Sequence, residues 1–313
     1  MARIVFMGTP EFAVPSLEAL ASSGHEVVGA FAQPDRPVGR GHKLAPCPVK
    51  ARAEALGIPV FQFEKIRCPE GVAQLAALAP DIAVTAAFGQ ILTQELLDIP
   101  KKGVINVHAS LLPRHRGSAP INQAILMGDE KTGITIMQTE RGLDTGPMFA
   151  SAETPIDAGE TAGQLAQRLS LMGAKLLAEK LDDILEGALT PVAQDADSAT
   201  YEPMLTRDMG VLDFALTATE LDRRVRGLDP WPGTYTESPL GRLKVFMVRP
   251  MPDGGKGAPG EVLVSDPKGG LIVACRDGAV ELVEIQLPGG RRMAAKACLQ
   301  GKAIPVGTML GTP

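Results

Sequence analysis

RIVFMGTPEFAVPSLEAL, residues 3–20, is the stretch from which the fold is read. Residues 3–7 form a short apolar run that stops at Gly8, the pattern of a buried strand. Pro10 then opens a helix, where a missing N–H costs no hydrogen bond. Phe12, Leu17 and Leu20 carry its period to about residue 23. Outward from this unit the same alternation repeats. Residues 26–32 (EVVGAFA), 60–61, 82–87 (IAVTAA) and 104–108 (VINVH) read as strands, with helices expected over 46–56, 70–78 and 93–97. Residues 134–138 and 148–152 are later strands, and 161–186 is a long Leu/Ala-rich helix. Strands alternating with helices predict an α/β, doubly wound (Rossmann-like) parallel sheet.

Residues 33–48 (QPDRPVGRGHKLAPCP) are rich in Pro, Gly and basic side chains and are expected as a long loop. Residues 190–208 have no apolar period and read as a linker. Beyond a helix at 218–227, short apolar runs at 233–237, 243–248, 260–265, 270–274 and 279–286 are separated by Gly and Pro. That spacing suggests a small β-barrel (OB-like) or sandwich. The expected domains are therefore 1–189, a linker over 190–208, and 209–313.

Composition limits the function classes. Of 313 residues, 45% are hydrophobic and 21% charged, which excludes wholesale disorder. The formal net charge of −5 is not the footprint of a nucleic-acid binder taken whole. Residues 205–313 carry 14 Lys+Arg against 12 Asp+Glu, a balance of +2, leaving −7 on the remainder. Four isolated cysteines with no CxxC pair suggest neither a zinc knot nor a redox motif, and fit a reducing compartment. No apolar run reaches the roughly 18 residues of a spanning helix, and the first residues enter a strand without a presequence pattern. A cytoplasmic protein with no membrane partner is expected.

The turn after residues 3–7 is where a dinucleotide loop would sit. The fingerprint needs Gly-x-Gly-x-x-Gly, and only Gly8 is present, with Pro10 where the second glycine belongs and no glycine at the third. Chemistry is expected elsewhere. Asn106 and His108 lie two apart at the end of a strand, so they share a face, and ligands of open parallel sheets bind beyond the carboxyl ends of strands. Asp144 lies in GLDTGP, a turn between two later strands. An Asp can hold an imidazole in one tautomer or stabilise it as imidazolium. With no GxSxG elbow, no nearby Cys and too few ligands for zinc, direct acyl transfer is the natural chemistry for this trio. Asn106 and protonated His108 would stabilise a carbonyl oxygen as it becomes anionic, with Asp144 orienting His108. The plain alternative is a capping Asn, a surface His and a turn Asp. His25, His42 and His115 have no partner pattern and read as surface histidines.

NVHASLLPRHRGSAPI (residues 106–121) and GITIMQTERGLDTGPM (residues 133–148) strongly resemble the formyltransferases that use 10-formyltetrahydrofolate. The opening RIVFMGTPEFAVPSLEAL, the 33–50 insertion and DPWPGTY at 229–235 make the likeness nearest to members acting on charged initiator tRNA. Met204 and Arg207 stand where that pattern has lysines. The resemblance implies formyl transfer from 10-formyltetrahydrofolate, as co-substrate and without metal, to the amino group of methionyl-initiator tRNA. It assigns Asn106, His108 and Asp144 to catalysis. Folate would lie beside Phe88, Gly89, Gln90, Ile91, Ser110, Leu111, Leu112 and Pro113. Phe12, Arg40 and Lys43 would meet the methionyl end and the tRNA, and the 209–313 domain would bind tRNA. A monomer is expected. A relative with another acceptor, a hydrolase, and a non-catalytic RNA-binding module are the alternatives.

Overall fold

The computed structural model describes residues 1–38, 43–302 and 304–311. Contacts divide the chain into two compact units. The first comprises residues 1–120, 131–155 and 166–202, the second 121–130, 156–165 and 203–313.

In the first unit, β1 (Arg3–Gly8), β2 (Glu26–Ala32), β5 (Val60–Gln62), β6 (Ile82–Ala86) and β7 (Val104–His108) run parallel, joined through α1 (Val14–Ala21), α2 (Pro48–Ala55), α3 (Pro69–Ala77) and α4 (Gln94–Leu97). A short hairpin, β3 (Arg36–Val38) and β4 (Lys43–Ala45), lies between β2 and α2. With β9 (Lys131–Gln138) and β10 (Met148–Pro155) added, the sheet order is β10-β9-β7-β6-β1-β2-β5. All of β6 is buried, as is β1 apart from Arg3, which is why both read as unbroken apolar runs rather than alternations.

After β5 the chain returns to the other flank of β1, so the strand order reverses between β1 and β6. A crevice opens at such a switch point, outside the carboxyl ends of the strands. Gly8 ends β1 there. A Cβ at Gly8 would lie 2.8 Å from Ala13 Cβ and 3.0 Å from the Ala86 carbonyl oxygen. Its lack of a side chain is therefore a packing requirement between β1, the following turn and β6.

Two expectations change. The sheet is mixed, not wholly parallel: β9 is antiparallel to β7, and β10 to β9. His108 pairs with Thr135, so β9 re-enters the sheet at the end where β7 leaves it. A parallel neighbour would need a crossover to the opposite end. The expected loop 33–48 contains the hairpin β3–β4, with Pro37 opposite Leu44. A two-stranded ribbon is all edge, so the missing N–H of Pro37 can face outward. The root of the hairpin is tied down by Asp35, which accepts from Lys50 Nζ at 2.7 Å and from Gln62 Nε2 at 2.8 Å.

Beyond α6 (Ala162–Glu186), the connecting stretch carries β11 (Tyr201–Glu202), which pairs in parallel with β8 (Arg116–Gly117). In the second unit, α7 (Ala218–Gly227) starts with a reciprocal cap between Thr217 and Glu220. Leu221 and Val225, four apart on one face, enter a core with Leu243, Val273, Val280 and Ile285. Those residues come from β13 (Gly241–Met251), β15 (Gly270–Cys275) and β16 (Gly278–Gln286), which with β12 (Thr234–Ser238) and β14 (Val262–Asp266) give the order β12-β13-β16-β15-β14. Near the chain end, Leu310 N–H donates to the carbonyl of Gly260, two residues before β14, and Gly311 N–H donates to the carbonyl of Glu237 in β12. This last segment bridges the two outer strands, the edges a sheet must cover.

Candidate active site

The carboxyl end of β7 carries Asn106 and His108 on one face. Thr85 of the neighbouring β6 donates its hydroxyl to Asn106 Oδ1 at 3.0 Å. The amide is thereby oriented, and Asn106 Nδ2 donates to nothing among the described residues. His108 is 5% exposed. Its Nε2 lies 3.0 Å from the His115 carbonyl oxygen, and its Nδ1 lies 3.7 Å from Asp144 Oδ2. The backbone N–H of Gly117 donates to that same Asp144 oxygen at 2.8 Å.

Asp144 reaches His108 because of its turn. Its φ is +50°, a left-handed conformation that Asp tolerates better than most residues. A Cβ at Gly146 would collide with the Gln138 carbonyl, so GLDTGP needs its second glycine for β9 and β10 to close. Gln194, from the stretch after α6, donates through Nε2 to the carbonyls of Asp144 at 2.8 Å and Gly146 at 2.7 Å. Buried Arg116 in turn donates to Gln194 Oε1.

His115 is not the surface histidine its sequence context suggests. It is buried, with φ +56°, and its Nδ1 lies 2.8 Å from Glu202 Oε1. His25 is also engaged: Nε2 lies 2.6 Å from Asp182 Oδ1, and Nδ1 accepts from Ala2 N–H. His42 lies outside the described residues.

The loop after β6 borders the switch point. Thr9, just past β1, donates to the Phe88 carbonyl at 3.1 Å, and Gln33, just past β2, donates to the Gly89 carbonyl at 2.9 Å. Gln90 holds the loop from the other side, accepting from Ile66 N–H and donating to the Phe63 carbonyl. The Phe88 ring is buried in the core with Val5, Met7 and Phe31, whereas Ile91 is 73% exposed. Backbone N–H groups of Gly89, Gln90 and Ile91 have no acceptor among the described residues. Such a run of free donors suits the edge of a heterocycle.

On the other side of β7, Ser110 donates to the Arg114 carbonyl at 2.7 Å. Thr135 of β9 donates to the Ser110 carbonyl and accepts from Leu112 N–H. Leu112 is buried, and Leu111 and Pro113 are half-buried. Phe12 is half-buried in the turn after β1, its carbonyl accepting from Ser170 Oγ. Arg40 lies outside the described residues, and Lys43 opens β4. Met204 is 72% exposed.

The structure thus joins His108 and Asp144, sets Asn106 two residues back on the same face, and adds Thr85, His115, Gln194 and Glu202, which sequence reading missed. Thr85 was recoverable, since β6 and β7 are neighbours and Thr is the polar residue in IAVTA. The others depend on the β8·β11 pairing, which no local pattern announces.

Comparison with known proteins follows this geometry. A formyl transferase family model matches residues 2–181, and a formyl transferase C-terminal domain model matches 204–303. A methionyl-tRNA formyltransferase of Citrifermentans bemidjiense is 48% identical over 99% of this chain and 96% of its own length. One from Bacillus subtilis is 45% identical over 99% and 98%. Among solved structures, an N-formyltransferase from Helicobacter canadensis, crystallised with folinic acid and dTDP-3-aminofucose, superposes with a TM-score of 0.66 at 17% identity. It covers 90% of this chain and 99% of that one. HypX from Aquifex aeolicus, in complex with tetrahydrofolic acid, gives 0.61 at 18% identity over 95% of this chain and 47% of its own. These two likenesses concern the fold. With family models on both parts of the sequence and relatives matched end to end, the chain belongs to the formyl transferase family, among the methionyl-tRNA formyltransferases.

Proposed function

We propose that this enzyme transfers the formyl group of 10-formyltetrahydrofolate to the amino group of methionine carried by initiator tRNA, as a cytoplasmic monomer. The observation that carries this reading is the convergence of Asn106, His108 and Asp144 at the carboxyl end of β7, in a chain related over its full length to methionyl-tRNA formyltransferases.

Residues 1–189 act as the catalytic domain, 190–208 connect, and 209–313 bind tRNA. The free amides of residues 89–91 suit a pterin edge, and Ser110, Leu111, Leu112 and Pro113 form the opposite border. Phe88 supports the folate loop from beneath. Phe12 houses the methionyl side chain, and Arg40 and Lys43 meet the acceptor end.

The folate supplies an activated formyl group. Asn106, anchored through Oδ1, offers Nδ2–H to the formyl oxygen as negative charge develops there. His108, carrying hydrogen at Nε2 and facing Asp144 through Nδ1, takes up positive charge beside that oxyanion. Asp144, 3.7 Å from Nδ1, balances the positive charge once that nitrogen takes up a proton. Deprotonation of the attacking amine and protonation of the departing folate nitrogen leave the His108–Asp144 pair unchanged over one turnover.

Incubation with 10-formyltetrahydrofolate and separately charged initiator and elongator methionyl-tRNAs tests this. Formylmethionine on the initiator is expected. Release of formate without formylated tRNA would replace the reading with a hydrolase.

A further inference from the structure

We infer that Glu202 and His115 form a buried positioning pair that determines which ring nitrogen of His108 carries its hydrogen. A carbonyl oxygen can only accept. The His115 carbonyl, 3.0 Å from His108 Nε2, therefore selects the tautomer protonated at Nε2 and leaves Nδ1 to Asp144. That selection depends on where the His115 carbonyl points.

It points there because His115 is held in the left-handed region, at φ +56°, which a non-glycine residue occupies only when its surroundings enforce it. The enforcement comes from residues 200–202. Glu202 Oε1 lies 2.8 Å from His115 Nδ1, in a site where the His115 and Glu202 side chains are 4% and 11% exposed. Thr200 Oγ1 accepts from the His115 backbone N–H at 2.8 Å and donates to Glu202 Oε1 at 3.2 Å. The Arg116 N–H donates to the Thr200 carbonyl, and the β8·β11 ladder fixes the register. Gly117 completes the fit: its φ is +110°, and a Cβ would lie 2.5 Å from the Glu202 carbonyl oxygen. The same Gly117 donates to Asp144. One clamp from the stretch after α6 thus sets both groups that face the His108 ring.

Glu202 and His115 touch no reacting atom in this account; they act through His108. The consequence for turnover rests on the formyl-transfer reading, whereas the tautomer does not, so each can fail alone. The tautomer is read by long-range 1H–15N correlation on the full-length protein labelled with 15N-histidine, His108 being assigned by its loss in His108→Ala. In the unsubstituted protein, neutral His108 gives the Nε2–H pattern. In Glu202→Ala that pattern gives way to a mixed or Nδ1–H one. kcat falls about tenfold to a hundredfold, as for a misplaced catalytic group, with KM for the folate donor within twofold. Glu202→Gln keeps an acceptor at Oε1 and recovers both readouts. Glu202→Asp keeps the charge but shortens the reach, and loses both in part; it also serves should the alanine variant not fold. A native His108 pattern and native kcat in folded Glu202→Ala or Glu202→Asp would overturn the inference. An altered tautomer with unchanged kcat would overturn its catalytic half.

Discussion

Asn106 is tethered through Oδ1, and its Nδ2 has no acceptor among the described residues. Replacing it by alanine removes a pre-aimed donor, and loss of one such donor costs roughly 10²–10³ in turnover. We expect that loss in Asn106→Ala, with folate affinity within a few-fold, by stopped-flow kinetics and fluorescence titration. Asp144 has two roles that can be separated. As an acceptor it holds Gly117 N–H; as an anion it faces His108. Asp144→Asn keeps the first and removes the second, so it should fold with native stability yet lose about 10²-fold in kcat. Because His108 and Asp144 act as one unit, the His108→Ala/Asp144→Ala double variant should be little worse than the poorer single variant. Losses that multiply would show two independent contributions.

At the element scale, GLDTGP is a turn whose sequence is set by two demands, a left-handed Asp144 and a side-chain-free Gly146. Gly146→Ala pushes a methyl into the Gln138 backbone, and overpacking against groups that cannot move costs typically about 1–3 kcal/mol. A lower denaturant midpoint and a fall in kcat should appear together, since the displaced turn carries Asp144. The root of the β3–β4 hairpin responds to acid. Lys50 first, then Gln62, hold the Asp35 carboxyl below its ordinary range. A depressed carboxylate contributes stability that is present above its unfolded value, about pH 4, and lost as pH falls through the folded value. Asp35→Asn should therefore lower the urea midpoint at pH 7, and the gap to the parent should close as pH falls below about 4. A gap unchanged across that range would mean that the charge contributes nothing. Strands such as β1 and β6 were legible because burial on both faces writes itself as an apolar run. The hairpin was not, because Pro, Gly and Arg argue for a loop and its pairing is set by ties to Lys50 and Gln62. The direction of β9 was also hidden, since strand patterns carry no sign. Asn106, His108 and Asp144 were legible as types and spacing, whereas His115 needed a two-residue ladder between positions 116 and 201.

Over the whole molecule, charge and chemistry are distributed unequally. Residues 1–204, which hold Asn106, His108 and Asp144, carry 17 Lys+Arg against 24 Asp+Glu, and the slight basic excess lies in residues 205–313. Phosphate contacts supply most of the sequence-independent affinity for nucleic acid and make it fall with salt. Removing residues 204–313 should therefore raise KM for charged tRNA and flatten its dependence on salt. A shorter chain ending at residue 193 removes more, because Gln194 holds the Asp144 turn and residues 200–202 hold His115. The two truncations separate docking from positioning. The chain ending at Pro203 should keep its folate affinity and its His108 tautomer, with tRNA KM raised. The chain ending at residue 193 should lose the tautomer and kcat as well. Equal kcat in the two would show that the stretch after α6 only connects, and an unchanged tRNA KM in both would remove tRNA binding from the second unit.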